Sequence, residues 1–276
     1  MTVSRVAVVK GPRGHEPVFK ALDLIDYREA LKGWDRALVK VNFITTKTWD
    51  TGATTDPLVA EAIIQRLKLL PLEVIVVESD ATITNATRAF EVTGMADMCE
   101  RNGIEWINLR HEKDRVELPV PGGTALKKIV VPRIVAESGI VSVAKMKTHT
   151  ATGVTLGMKN LFGLLPDKFK GKFHRKGMHK VVADITTAIK PLLTVVDGFV
   201  AMEGRGPVGG SPVQMETIVA GMDVVAVDAT ASRLMGIDPH EIGHITMAHE
   251  RGLGEVDSVE VVGESLANVV RVFKRP

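Results

Sequence analysis

Residues 139–149 read Gly-Ile-Val-Ser-Val-Ala-Lys-Met-Lys-Thr-His. The run Ile140–Lys145 is rich in valine and isoleucine, lacks polar alternation and stops at cations. An apolar strand without alternation is covered on both faces, as the strands of a parallel sheet are. Eight further short runs read the same way: Arg5–Lys10, Ala37–Asn42, Val74–Glu78, Ile104–Leu109, Lys128–Val131, Leu193–Asp197, Thr217–Gly221 and Val259–Val262. Helical spacing falls between them. Pro57–Leu70 sets Leu58, Val59, Ala62, Ile63 and Leu67 at helical intervals, behind an Asp56 cap and a proline in the first turn. Asp223–Met235 does the same with Val224, Val227, Ala231 and Leu234, and Pro239–Arg251 follows, ending at Gly252. This alternation predicts an α/β fold, a largely parallel, doubly wound sheet with helices on both faces. No linker rich in Gly, Ser or Pro divides the chain, so 1–276 reads as a single α/β unit. A faint echo joins Ala37–Asn42 to Val141–Lys147, each an apolar strand ending in lysine before threonines. It points to two related lobes, about 1–136 and 137–276.

The composition, 45% hydrophobic and 25% charged over 276 residues, excludes a disordered or fibrous chain. No apolar stretch approaches the ~18 residues of a membrane span. Behind Met1-Thr2-Val3-Ser4-Arg5 the apolar run is only Val6–Val9, short of the roughly 7–15 residues of a signal peptide. A cytoplasmic protein without membrane contact is expected. The single cysteine, Cys99, excludes an internal disulfide framework and any iron–sulfur cluster or all-cysteine zinc site ligated by this chain alone. Cys99 itself reads as a core residue beside Met95 and Met98.

The charge is unevenly spread. From Lys145 to Lys180 nine lysines and arginines face one acid, Asp167, a net +8 in a chain whose formal charge is +2. Such polarisation implies an anionic ligand or an internal basic seam. In open α/β sheets ligands sit beyond the carboxyl ends of the strands, and three such ends carry polar groups. The first is Lys40-Val-Asn42, followed by Thr45-Thr46 and Thr54-Thr-Asp-Pro57 at the start of a helix, which suits a phosphate or carboxylate. The second, Lys145-Met-Lys147-Thr148-His149 with Lys159 and Asn160 close behind, gathers two cations and an imidazole that need a neutralising anion. The third is Asp197-Gly-Phe, then Glu203-Gly204-Arg205-Gly206-Pro-Val-Gly-Gly210, a backbone cradle or flap that is no P-loop. Its acids, Asp197 and Glu203, are the candidate ligands for a divalent metal. His149, His174 and His179 lie in the basic segment, where neighbouring cations favour the neutral imidazole that acts as a base or metal ligand. Pro239-His240-Glu241-Ile-Gly-His244 spells the zinc-protease pattern on the expected helix, with both histidines on one face. The internal glycine and leading proline argue for capping and surface roles instead.

Several strings together resemble one family: Lys145-Met-Lys-Thr-His149, Thr155-Leu-Gly-Met-Lys-Asn-Leu-Phe-Gly163, Val196-Asp-Gly198 with Gly204-Arg-Gly-Pro207, and Ala220-Gly-Met-Asp-Val-Val-Ala-Val-Asp228. Lys40-Val-Asn42 and Thr54-Thr-Asp-Pro57 resemble its opening motif. The family is DUF362, a domain of unknown function, and the resemblance runs from about residue 36 to about 263. It implies kinship with proteins often joined to a ferredoxin-like cysteine module and described as iron–sulfur proteins. With Cys99 alone, this chain departs from that module, and a ferredoxin-like partner would have to supply any cluster. The resemblance marks residues but assigns no reaction.

The leading expectation is an enzyme acting on a small anionic substrate, a carboxylate or phosphate. Lys40, Asn42, Lys147, Thr148, Lys159, Asn160, Gly204, Arg205 and Gly206 would bind it. His149, Lys145, His174 and His179 would supply acid/base chemistry, and Asp197 and Glu203 would orient a histidine or hold the metal. A second reading is a polyanion or nucleic-acid module in which Lys168, Lys170, Lys172, Arg175 and Lys176 face solvent. Aromatic content of 4%, with one tyrosine, argues against base-stacking platforms. A third is a redox or metal-handling accessory working beside a ferredoxin.

Overall fold

The computed structural model describes residues 3–276; Met1 and Thr2, where the N-terminal stretch weighed as a signal peptide begins, lie outside them. Its strands are β1 (Ser4–Lys10), β2 (Arg36–Lys40), β3 (Glu73–Glu78), β4 (Glu105–Asn108), β5 (Arg115–Pro119), β6 (Lys128–Pro132), β7 (Gly139–His149), β8 (Gly153–Thr155), β9 (Leu193–Glu203), β10 (Ser211–Gly221) and β11 (Val259–Gly263). Nine form one sheet in the order β11-β1-β10-β9-β7-β2-β3-β4, with β8 hairpinned onto β7. β4, β3, β2, β7 and β9 are successively parallel, β1 and β11 pair parallel, and β10 runs antiparallel between β9 and β1.

The strands β1, β2, β3, β7 and β9 are covered on both sides. Val6, Val8, Leu38, Ile75 and Val77 point into one core, closed by the helices Met178–Ala188, Val224–Leu234 and Gly243–Glu250. Ala7, Val9, Val39, Val74 and Val76 point into the other, closed by His15–Leu24, Pro57–Leu67 and Met95–Arg101. Asp56 caps Pro57–Leu67 through the Leu58 N–H, at 3.0 Å. Asp223 caps Val224–Leu234 through Val225 and Ala226.

Two expectations are corrected. Lys128–Val131 belongs to a separate antiparallel hairpin of β5 and β6 with alternating burial, not to the main sheet. The helix expected over Pro239–Arg251 is broken at Ile242, leaving a single 3-10 turn, Pro239–Glu241, and the helix Gly243–Glu250. His240 and His244 therefore share no face: His240 is exposed beside Asp257, while His244 is buried against His179.

The topology places the site. From β2 the chain steps outward through β3 and β4; from β7 it steps the other way to β9, and β7 lies directly beside β2. Strand order thus reverses between β2 and β7. The crevice outside the carboxyl ends of two such strands is where an open α/β sheet takes its ligand.

Candidate functional site

β2 ends at Lys40 and β7 at His149, and the crevice beyond them is a cavity of about 430 Å³. Lys40, Asn42, Lys147, His149, Lys159, Asn160 and His174 line it, brought together from four segments of the chain. The Lys40 ammonium is wholly buried and donates to Glu78 Oε2 at 2.8 Å, Val41 O at 2.6 Å and Asn160 Oδ1 at 3.1 Å. Asn160 ties the strands together, accepting from Asn42 Nδ2 at 3.0 Å and donating to Lys40 O at 2.9 Å and Ser142 Oγ at 3.1 Å. Lys147 is equally buried, and its ammonium donates to Ala53 O alone among the described residues. Lys159 Nζ makes no hydrogen bond or ion pair among them and lies over the Phe162 ring, 4.7 Å from its centroid. Asn42 Oδ1 is a buried acceptor with no partner there.

The short helix Gly157–Asn160 carries Lys159 and Asn160. Its first two N–H groups, Gly157 and Met158, donate to Asp228 at 2.7 and 2.9 Å. Burial raises that carboxyl to about 7 in spite of the two donors. Gly163 lies so close to Lys40 and Glu78 that a Cβ there would collide with both side chains.

Sequence reasoning missed Glu78, the carboxylate among the cavity-lining side chains, and Ser79. It also set Lys170 toward solvent, whereas Lys170 is buried in the cavity wall, donating to Ser79 Oγ at 3.1 Å and Phe162 O at 3.3 Å. Glu78 accepts from Lys40, from Phe43 N at 2.9 Å and from Ser79 N at 2.8 Å. Its place at the end of β3, next to β2, was the available signal. Apolar walls come from Phe43, Ile44, Phe162, Pro207 and Val208.

Four lysines thus face a cavity that holds one carboxylate, already engaged by one of them. Burial is the first cause of the lowered pKa of Lys40, Lys147, Lys159 and Lys170; neighbouring lysines lower the last three further, while Glu78 opposes the shift of Lys40. Lys147 falls well below the ordinary lysine value, Lys159 to about 7 and Lys170 to about 8. Burial, then Lys159 and Lys147, push His149 down to about 3, so its ring is neutral. The Ala151 N–H donates to His149 Nδ1 at 3.0 Å, which leaves the proton of the neutral ring on Nε2. His149 therefore has its Nδ1 occupied and its Nε2–H as the remaining polar group of a neutral ring. His174, exposed at the mouth, is the imidazole open to proton exchange there.

Other expected site residues do not line the cavity. Lys145 is wholly buried in an ion pair with Asp197 at 2.8 Å, and Asp197 also accepts from the Asp56 and Phe199 N–H groups. Both charges are consumed in holding the strand ends. Thr148 donates to Gly204 O at 2.8 Å, and Gly206 packs against Thr148 O with no room for a Cβ. These three hold the wall from behind. Arg205 is exposed. Glu203 accepts from Lys274 N, remote from Asp197 in its contacts, and no group of three or more His, Cys, Asp or Glu side chains among the described residues is arranged to hold a metal. His179 stacks on His244, Nδ1 to Nδ1 3.1 Å, instead of entering the cavity.

Fold and site together define a doubly wound α/β protein with a lysine-lined cavity at its topological switch point. The chain belongs to the family described as a domain of unknown function, DUF362, whose model matches residues 37–233. It is 27% identical over 230 residues to the thylakoid-associated protein sll1697 of Synechocystis sp., an alignment covering 81% of this chain and 70% of that one. No solved structure matches the chain. No helix among the described residues is long and apolar enough to cross a membrane.

Proposed function

We propose that the protein is an enzyme that takes a small phosphate- or carboxylate-bearing substrate in the cavity at the ends of β2 and β7. The observation that supports this reading is the charge imbalance: Lys40, Lys147, Lys159 and Lys170 around a single carboxylate, Glu78. Burying cations without partners costs several kcal/mol, and a fold retains them where a ligand supplies the missing charge. Lys147 would hold the anion, with Lys159 beside it and His149 Nε2–H as a neutral donor. Asn42 Oδ1 would accept from a hydroxyl of the ligand, and the Phe43 and Phe162 walls would take its apolar part. The Pro207–Val208 edge, fastened by Lys47 Nζ to Val208 O at 3.0 Å, closes one side. A cytoplasmic setting belongs to this reading; Cys99, buried in the core and outside the cavity lining, has no part in the site.

Of the cations named for the polyanion reading, Lys170 turns into the cavity wall, while Lys172, Arg175 and Lys176 stay on the surface. Calorimetric titration with inorganic phosphate tests the site directly. Binding that falls at least ~tenfold in Lys147→Met, with the fold intact by circular dichroism, is expected. Unchanged affinity in that variant would remove the cavity from the function.

A further inference from the structure

We propose that Lys159 is an amine nucleophile, and that the substrate of this cavity is an anionic aldehyde or ketone which Lys159 captures as an imine. The proposal rests on the anion-binding reading above and names the chemistry within it. Three structural observations carry it. Lys159 Nζ has no hydrogen-bond acceptor or carboxylate partner among the described residues, unlike Lys40, Lys145, Lys147 and Lys170. It lies in the cavity wall, part of its surface open to the space a ligand would fill. It is also held in place, because Gly157–Asn160 is anchored at one end by Asp228 and at the other by the Asn160 bonds to β2 and β7.

The surroundings favour the free amine. The charged groups facing Lys159 are Lys40, Lys147 and Lys170, with Glu78 as the acid, and the neutral rings of His149 and His174 near by. Buried His244 lies farther behind. The Phe162 face is shared with Lys170, whose ammonium is 5.1 Å from the ring centroid. Desolvation and adjacent cations are the devices that turn a lysine into a nucleophile near neutral pH, and they set Lys159 at about 7. The other lysines would then hold the substrate's anionic group while the amine reaches its carbonyl.

The step balances without a cofactor. The amine lone pair forms the C–N bond as the carbonyl π pair moves to oxygen, and the proton lost by nitrogen passes to that oxygen. One further proton, from a neighbouring ammonium or water, converts the hydroxyl to leaving water. The product is an iminium on Nζ, one water released and no change in oxidation state.

The experiment treats the full chain with glyoxylate or pyruvate and sodium cyanoborohydride, which reduces the iminium to a stable amine. Modified lysines are located by peptide mass spectrometry. Lys159 is expected to be labelled at least roughly tenfold faster than any other lysine at pH 7. The rate should be half-maximal near pH 7, and inorganic phosphate should slow it. Labelling spread over surface lysines, or a rate at Lys159 that phosphate leaves unchanged, overturns the inference. Phosphate binding to the untreated protein is measured alongside. If phosphate binds and Lys159 is not trapped, the nucleophile is wrong and the anion site stands; if neither occurs, both fail.

Discussion

At the residue scale the cavity lysines set binding against stability. A lysine whose pKa is lower in the folded than in the unfolded chain binds fewer protons when folded between the two values, so stability rises with pH across that window. For Lys159 the window runs from about 7 up to the ordinary 10.5, and for Lys170 from about 8. Below about 7 both lysines are charged and the full penalty of desolvating them is present. Replacing Lys159 by methionine removes the charge while keeping most of the stem. We expect Lys159→Met to gain on the order of 1 kcal/mol in urea unfolding at pH 6.5, and to lose at least ~tenfold in phosphate affinity. A variant weaker in both would mean that Lys159 packs the fold instead of serving the site. Asn160 behaves oppositely. It satisfies groups on β2, β7 and the Asn42 loop at once, so Asn160→Ala should cost about 2–3 kcal/mol and should weaken phosphate binding through misplaced Lys40.

At the scale of elements, β7 is the decisive strand. The apolar pattern ended it at Lys145, but it continues to His149 with all eleven residues buried. Lysines within a strand read as exposed, because the covering layer is contributed by β8, the Gly157–Asn160 helix and the Gly204–Gly206 turn, none adjacent to all of it in sequence. The Asp228 carboxylate accepts two N–H bonds at the start of that helix. An amide would accept one and confront the other N–H with its own donor. Asp228→Asn should therefore cost about 2 kcal/mol in chemical denaturation and should reduce phosphate affinity, since Lys159 rides on the helix. Gly163→Ala meets Lys40 and Glu78. With backbone turns on one side and a buried ion pair on the other, the collision should displace the pair and abolish phosphate binding; a variant that binds normally would show that the 161–164 turn yields.

At the scale of the whole molecule, the reversal of strand order between β2 and β7 opens the crevice, and the Val- and Ile-rich cores on both sheet faces hold its walls. An anion in the cavity restores the charged form of the lysines, so binding takes up protons. Phosphate should raise the melting temperature most below pH 7, with the effect fading toward pH 9 as Lys159 and Lys170 lose their protons more readily. Thermal melts with and without phosphate at pH 6.5 and pH 9 measure this. An equal shift at both pH values would place the bound anion away from the cavity lysines.

The sequence by itself determined the class of fold, because strands buried on both faces must be apolar throughout, and eight of the nine runs read in that way lie in the main sheet. It also picked out Lys40, Asn42, Lys147, Lys159 and Asn160, because polar groups at the ends of buried strands have few structural reasons to be there. What only the tertiary structure decided was which charges are consumed and which are left over. Lys145 and Lys147 are two residues apart in one strand, yet one is neutralised by Asp197 on β9 and the other by no carboxylate among the described residues. Glu78 and Lys170 join the site from opposite sides of the chain's middle, and Arg205 leaves it for solvent. The physical reason is that pairing and desolvation act over a few ångströms in space, whatever the separation along the chain.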